Sequence, residues 1–369
     1  MTADIATARK TPVAFTNIST AKLSEELASQ DLPMVLNSTP GAYATQTGGG
    51  DGDARVSIRG FDQRNIAVML DGIPVNDMEN GWVYWSNWFG LDLVTKTMQV
   101  QRGLGASKLA IPSVGGTINI LTKGIESKRQ TRLQQEIGNN GFTRTTLGFT
   151  SGRMKNGWGI SAAGSYKQGD GWATGNFTKG YFYYLRIDKE IGNHLISLSG
   201  FGAPQEHGQR SFPSSIATFD GDYARELGVQ DSEFAARNTD LGLRYNQHVG
   251  TLNGEMVNTQ VNFYHKPQLS LKHSWKASER FFLSNVAYLS IGNGGGTRTR
   301  GGLFSNQNRL DNGLFDLDSI YKKNTTPTLF NPDLKAENYL FASMNSHFWY
   351  GLLSTAEFNI MIIGHFRAE

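Results

Sequence analysis

The sequence predicts a mainly β protein, with a small α+β unit at its N-terminal end and, behind it, antiparallel strands of the kind that form a membrane barrel. Three observations predict this. Glycine (43 residues) and aromatics (21 Phe, 13 Tyr, 7 Trp) are abundant while charged residues make up only 18%, a composition suited to amphipathic strands broken by frequent turns. Beyond Lys123 the chain falls into segments of about ten residues that alternate in polarity. Finally, the longest apolar candidates, Ile66–Leu70 and residues 360–363, fall far short of the roughly 20 residues that a membrane-crossing helix needs.

The same arithmetic removes several functions. With no cysteine in the chain, disulfides, thiolate metal sites and a Cys nucleophile are all excluded. Residues 1–123 carry 10 basic and 11 acidic side chains and the remainder 25 and 21, so positive charge is nowhere concentrated and nucleic acid is not an expected partner.

Residues 1–10 (MTADIATARK) hold a basic pair but no apolar core, so they do not read as a secretory signal. If the protein is exported, its natural start is expected to lie outside this sequence. Residues 11–123 read as one mixed unit. Leu23 and Leu27, four apart behind Ser19 or Thr20 and with Glu25 and Glu26 between, predict a short helix over 20–28. Asp31 followed by Pro33 predicts a second short helix over 32–36. Residues 55–59 (RVSIR), 65–70 and 73–75 predict strands, with Asp71-Gly72 as a hairpin turn and Pro74 placing the last of them at an edge. Residues 98–101 and 117–121 supply two more.

In residues 158–166, Trp158, Ile160, Ala162, Gly164 and Tyr166 share one face while the other holds Gly159, Ser161, Ala163 and Ser165. A soluble sandwich would place Lys and Glu on its outward face. Here the second face is tiny and uncharged, which favours a membrane barrel with an aromatic at each end of its lipid band. The pattern recurs at Thr145, Leu147 and Phe149, at Tyr183, Leu185 and Ile187, and at Thr259, Val261 and Phe263, and less regularly over 281–290 and 348–353. Residues 202–238 and 292–331 are too polar for membrane strands and read as long loops, against tight turns at 139–141 and 155–157.

No enzyme motif emerges. G-x-S-x-G, H-E-x-x-H and the phosphate-cradling G-x-x-x-x-G-K-[ST] are absent, and residues 103–108 lack the latter's spacing. Residues 48–53 (GGGDGD) read as a mobile loop and not as a calcium repeat. The seven histidines include no i, i+4 pair, and Asp316 and Asp318 read as loop residues, so no metal or other cofactor is expected. One cluster stands out. Trp82, Tyr84, Trp85, Trp88 and Phe89 crowd into eight positions with Ser86 and Asn87 between, which suits either ligand contact or packing of a long loop.

Four blocks carry a family resemblance: Arg55 to Phe61 (RVSIRGF), Val68 to Pro74 (VMLDGIP), Val100 to Gly103 (VQRG) and Gly115 to Ile120 (GGTINI). In this order they resemble the plug domain of TonB-dependent outer-membrane receptors, and the remainder, including Gly202-Ala203-Pro204-Gln205 and Asn331-Pro332-Asp333-Leu334-Lys335, is similar to the barrel of that family. The resemblance implies a plug over 11–123, behind an extension over 1–10, and a partial barrel over 124–369, about half of a 22-stranded one. It implies a receptor in the outer-membrane lipid that imports a scarce siderophore, vitamin, oligosaccharide or peptide when the TonB inner-membrane complex moves the plug. A surface lipoprotein would be a further partner.

On that reading Arg59 and Arg102 are charges at the plug-to-barrel wall, where a buried guanidinium needs carboxylates. Gly60, Gly72, Gly103, Gly115 and Gly116 serve tight backbone geometry, and Asp71 opens the hairpin. Trp82, Tyr84, Trp85, Asn87 and Trp88 form an apical loop facing the ligand. Residues 1–10 offer no convincing TonB box, and 359–369 do not resemble a closing barrel strand. The 246 residues after 123 suffice for roughly 10–12 strands at about 20–25 residues each, so the expectation is the N-terminal part of a receptor. Alternatives are a binding module without transport and a non-functional receptor fragment.

Overall fold

The structure, a computed structural model, describes residues 13–47, 52, 54–103, 113–301 and 306–358. The readings made on residues 1–10, on most of 48–53 and of 103–108, and on 359–369 fall outside the described residues.

The N-terminal unit holds strands β1 (Ala14–Ser19), β2 (Ala42–Gln46), β3 (Ala54–Ile58), β4 (Phe61–Asp62), β5 (Ile66–Leu70), β6 (Ile73–Pro74), β7 (Thr95–Arg102) and β8 (Gly116–Thr122). Five of them form a sheet in the order β1-β7-β8-β5-β6, with β2-β3-β4 as a second, small sheet. The predicted hairpin is present. Met69 pairs Pro74 and Leu70 pairs Ile73, so Asp71 (φ 51°) and Gly72 (φ 87°) are the two turn residues. Positive φ at both is what a type I′ turn demands, and Asp-Gly supplies it cheaply. β6 lies at the sheet edge, where the missing N–H of Pro74 is harmless. Helix α1 (Thr20–Glu26) starts from Ser19, whose side chain accepts the Lys22 N–H. The segment entered through Pro33 winds as a 3₁₀ turn, Leu32–Ser38. A second short helix, α2 (Leu91–Val94), precedes β7.

The rest is strand and loop: β9 (Gln130–Ile137), β10 (Thr143–Thr150), β11 (Trp158–Asp170), β12 (Phe177–Ile191), β13 (His194–Gly202), β14 (Gln205–Gly208), β15 (Val249–Leu252), β16 (Glu255–Asn258), β17 (Val261–His265), β18 (Gln268–Lys276), β19 (Phe281–Arg300), β20 (Phe315–Asp316) and β21 (Tyr339–Phe358). Ten of these form one antiparallel sheet, which runs from β9 to β21 without closing on itself. β13 and β14 lie end to end along β12, and β17 and β18 end to end along β19. Among the described residues the sheet is therefore eight strands wide, fewer than the residue count suggested, because the connections between β14 and β17 and between β19 and β21 absorb much of the chain.

Alternation gives the sheet its sides. Along β12, Tyr181 (51%), Tyr183 (44%) and Leu185 (49%) are exposed while Phe182 and Tyr184 are 3% exposed. Along β11, Trp158 and Ile160 are exposed while Gly159, Ser161 and Ser165 are buried. The apolar face is the outer one, and the small and polar face is covered by the N-terminal unit. A water-soluble sandwich would do the reverse, and a wall in lipid does this. Among the described residues no helix is long and apolar enough to cross a membrane.

Two expectations change. Residues 292–300 (GNGGGTRTR) are not loop but the outer half of β19, paired throughout with β21 and over 293–296 with β17. Glycine weakens an isolated strand, yet over Asn293–Gly296 the ladder is satisfied on both edges, and the missing side chains make room for Tyr264, which has an atom 2.3 Å from where a Cβ on Gly294 would sit. The 139–141 turn opens on the same side as the long connections, whereas 151–157, 192–193 and 277–280 form the short-turn side. Asp316 caps the helix Leu317–Thr325 through the Ser319 N–H, and Asp318 accepts the Asn253 N–H. Both have structural work.

Candidate functional site

The N-terminal unit meets the wall along a seam that begins with the aromatic run. Trp85, Asn87 and Trp88 are 3%, 5% and 3% exposed. Trp88 packs on Phe201 of β13 with ring centroids 5.9 Å apart, and Trp85 Nε1 donates to Gln63 Oε1 at 3.2 Å. At Gly90 (φ 84°) a Cβ would lie 2.6 Å from the Cβ of Phe182 on β12, so only glycine lets the backbone come this close. The expected apical ligand loop is thus two things. Trp85, Asn87 and Trp88 are wedged between unit and wall, and only the residues just before them face out.

Those outward residues are set on a tight loop. Asp77 Oδ1 accepts the N–H groups of Glu79 and Asn80 at 3.0 and 3.1 Å. Asn76 holds the loop to the sheet by accepting the Val68 N–H at 2.8 Å and donating to Ile66 O at 2.9 Å. Tyr84 is 41% exposed and its hydroxyl accepts from Asn80 Nδ2 at 3.0 Å. Trp82 is half-buried, with the guanidinium carbons of Arg55 and Arg64 at 4.9 and 5.0 Å from its ring. His347 of β21 comes within 3.9 Å of Asp77. The loop surface open to a solute includes Trp82, Tyr84 and Asn80, beside the exposed Met78 and Glu79.

Two ionic clusters cross the seam. In the first, the Arg144 guanidinium of β10, 5% exposed, lies 2.9 Å from Asp92 of α2 and 3.6 Å from Glu136 of β9. Phe89 lies 5.0 Å from that guanidinium carbon and 4.3 Å from Lys167 Nζ. In the second, Asp71 Oδ2 accepts from Thr122 Oγ1 at 2.7 Å, and Thr122 Oγ1 accepts from Arg186 Nη1 of β12 at 3.0 Å. Arg186 Nε also donates to Asp188 at 2.9 Å, and Asp188 accepts from Ser197 at 2.5 Å. Both arginines come from the wall, and each has a wall carboxylate besides its partner in the N-terminal unit. If the unit withdraws, neither charge is orphaned, so the cost that makes buried ion pairs hard to break falls mostly away.

Arg59 and Arg102, expected to face the wall, do not reach it among the described residues. Arg59 is the first residue of a second two-residue turn (φ 52°, Gly60 φ 83°), exposed, with its guanidinium over Gly103. Arg102 Nη1 donates to Pro40 O at 2.9 Å. Gly103 N donates to Gly115 O where β7 ends and β8 begins, Gly115 N donates to Asn65 O, and Gly116 leaves no room for a Cβ against Gln101 O. Arg144, Asp92, Arg186 and Asp188 were missed from sequence, although a signal existed. Thr178, Gly180, Phe182, Tyr184, Arg186 and Asp188 share the inner face of β12, and two charges there need a partner.

Where the unit joins the wall, Glu126 meets Lys96 Nζ at 2.8 Å. Burial opposes ionisation of Glu126, but the hydrogen bond and charge of Lys96, a backbone N–H and the charge of Arg186 together outweigh it and hold the carboxyl below its ordinary value. A depressed acid stabilises the fold above its unfolded value, and that contribution is lost as pH falls through the folded one. Unfolding followed from neutral to acidic pH is therefore expected to show a weakening at the acidic end that Glu126→Gln reduces. Equal acid sensitivity in both proteins would contradict it.

Comparison with known proteins fits this geometry. Residues 7–117 match the family model described as TonB-dependent Receptor Plug Domain. The vitamin B12 transporter BtuB of Vibrio vulnificus is 24% identical over 159 residues, 43% of this chain and 26% of that protein. The ferric enterobactin receptor of Pseudomonas aeruginosa is 28% identical over 118 residues, 29% of this chain and 16% of that protein. The crystal structure of the siderophore receptor PiuA from Acinetobacter baumannii superposes with a TM-score of 0.58 at 17% identity, covering 80% of this chain and 39% of that one. The chain thus spans well under two thirds of each. These relatives are receptors and transporters, not enzymes. Residues 7–117 thus match the plug domain of TonB-dependent receptors, and the outward-apolar wall on whose inner face they sit is similar in fold to part of the solved receptors.

Proposed function

We propose that the chain is the plug and adjoining wall of an outer-membrane receptor that captures a small nutrient on its long-loop side and admits it when the TonB inner-membrane complex shifts the plug. The observation that carries this is the seam. It is closed by aromatic packing, yet both wall arginines keep a carboxylate of their own once the plug departs, which suits a part that is held firmly and released repeatedly. Trp82, Tyr84 and Asn80 would touch the nutrient, offering ring faces and amide groups. The lipid of the outer membrane would cover the apolar outer face.

Locking the plug to the wall tests the reading. The chain has no native cysteine, and Phe89 lies 3.5 Å from where a Cβ on Gly180 of β12 would sit. In the complete receptor, Phe89→Cys with Gly180→Cys, joined by a short reducible thiol reagent, is expected to leave nutrient binding intact and to stop uptake until reductant is added. Uptake at an unchanged rate while joined would contradict plug movement. Tyr84→Ala is expected to weaken nutrient binding by about tenfold, near 1.4 kcal/mol, with little change in stability, as read by equilibrium binding beside an unfolding curve.

A further inference from the structure

At the long-loop rim a cavity of about 420 Å³ opens between the β9–β10 turn, the β11–β12 connection and the segment before β15. It shares no residue with the plug apex. Its walls are set by hydrogen bonds within the protein: Asp170 N donates to Asn140 O at 2.8 Å, Gly171 N to Asn176 O at 2.8 Å, and Thr174 N to Arg244 O at 2.7 Å. Asn176 lines the cavity and is 3% exposed, and its Oδ1 accepts from the buried Asn246 and Asn258 amides at 2.8 and 3.1 Å. This amide knot ties three loops into one rigid frame.

Three groups face the space from that frame. Trp172, 45% exposed, offers an indole whose ring has the Arg210 guanidinium carbon at 5.3 Å. Arg210 in turn donates to the Leu243 and Tyr245 carbonyls at 2.8 and 3.2 Å, so it holds the indole and is itself held. Arg244 uses one N–H on Asn140 Oδ1 at 3.1 Å, which leaves most of its five donors open among the described residues. Asp170 is an exposed carboxylate with no ion pair among the described residues, although it lines the same cavity as Arg244.

The combination selects a chemistry. An apolar ligand would cover a carboxylate and a guanidinium without giving either a partner, which is costly. A small anion or cation would meet a like charge across the cavity. A polyhydroxylated ring satisfies all three groups, because its C–H face lies on the indole while its edge hydroxyls donate to a carboxylate and accept from a guanidinium. The volume lies within the range of small-molecule sites. We propose that this rim cavity binds a saccharide, with the ring on Trp172, hydroxyls donating to Asp170 and others accepting from Arg244. It deepens the receptor reading by placing a sugar-recognising surface outside the seam. Its placement on the outer side rests on that reading, whereas the binding chemistry does not.

The test is titration of the receptor, held in a detergent without a sugar head group, with the methyl glycosides of glucose, galactose and mannose, read by calorimetry and by Trp fluorescence. Saturable millimolar binding of at least one is expected, weakened at least tenfold by Trp172→Ala and by Asp170→Asn and largely kept by Trp172→Phe, while Tyr84→Ala leaves it unchanged. No saturable binding of any of the three, or binding indifferent to both Trp172→Ala and Asp170→Asn, would overturn the proposal. Failure here leaves the locked-plug experiment untouched, and failure there leaves the glycoside titration untouched.

Discussion

Trp88→Ala is expected to destabilise the seated plug by about 3–5 kcal/mol, the cost of removing a buried Trp whose surroundings cannot fully collapse. The side chain is 3% exposed and faces Phe201 across the seam, so the void would open between two separate bodies. Unfolding in detergent, followed by protease sensitivity of residues 14–122, should register the loss. Trp82→Ala should cost far less, because Trp82 is only half-buried and stands between two arginines at the surface. The residue pattern left ligand contact and packing both open, and the family resemblance placed Trp85 and Trp88 against the ligand, for which their double replacement would impair uptake and spare assembly. The seam reverses that expectation. A Trp88→Ala protein with unchanged stability and lost nutrient binding would restore the ligand role.

Arg144→Met should have an effect of similar size for a different reason. The guanidinium is 5% exposed between Asp92 and Glu136, whose side chains are each 19% exposed. Removing the cation leaves two carboxylates facing one another in a partly buried site, and breaking a buried pair from one side costs about 3–5 kcal/mol. Adding Asp92→Asn and Glu136→Gln to Arg144→Met should recover most of the loss, since no pair of carboxylates is left facing one another. Asp92→Asn alone should be milder, because Arg144 keeps Glu136. A triple variant as unstable as Arg144→Met alone would show that the ion pair is not what the site depends on.

The readable parts of the fold were those fixed by local chemistry. Asp71-Gly72 announced its turn because few residue pairs accept positive φ twice, Pro33 and Pro74 announced where an N–H was not needed, and the period-two alternation at Trp158 and Ile160 gave the outward apolar side. The Gly-rich end of β19 was missed because glycine propensity speaks for an isolated strand, whereas neighbours on both edges decide the matter here. The site was less legible. Crowded aromatics look the same in a ligand pocket and in an interface, and the difference for Trp88 lies in Phe201, more than a hundred residues away. A separation of 52 residues likewise hid the pairing of Arg144 with Asp92, while Arg59 and Arg102 drew attention by their motif and turned out to lie over the plug's own turns.

Everything depends on β12 having one face in lipid and the other against the plug. Single cysteines placed in turn at Tyr181, Phe182, Tyr183, Tyr184 and Leu185 of the receptor in bilayers, each carrying a small fluorophore, can be challenged with a quencher dissolved in the acyl chains. Strong quenching at 181, 183 and 185 and weak quenching at 182 and 184 is the expected result. Quenching with no alternation, or alternation in the opposite phase, would contradict it.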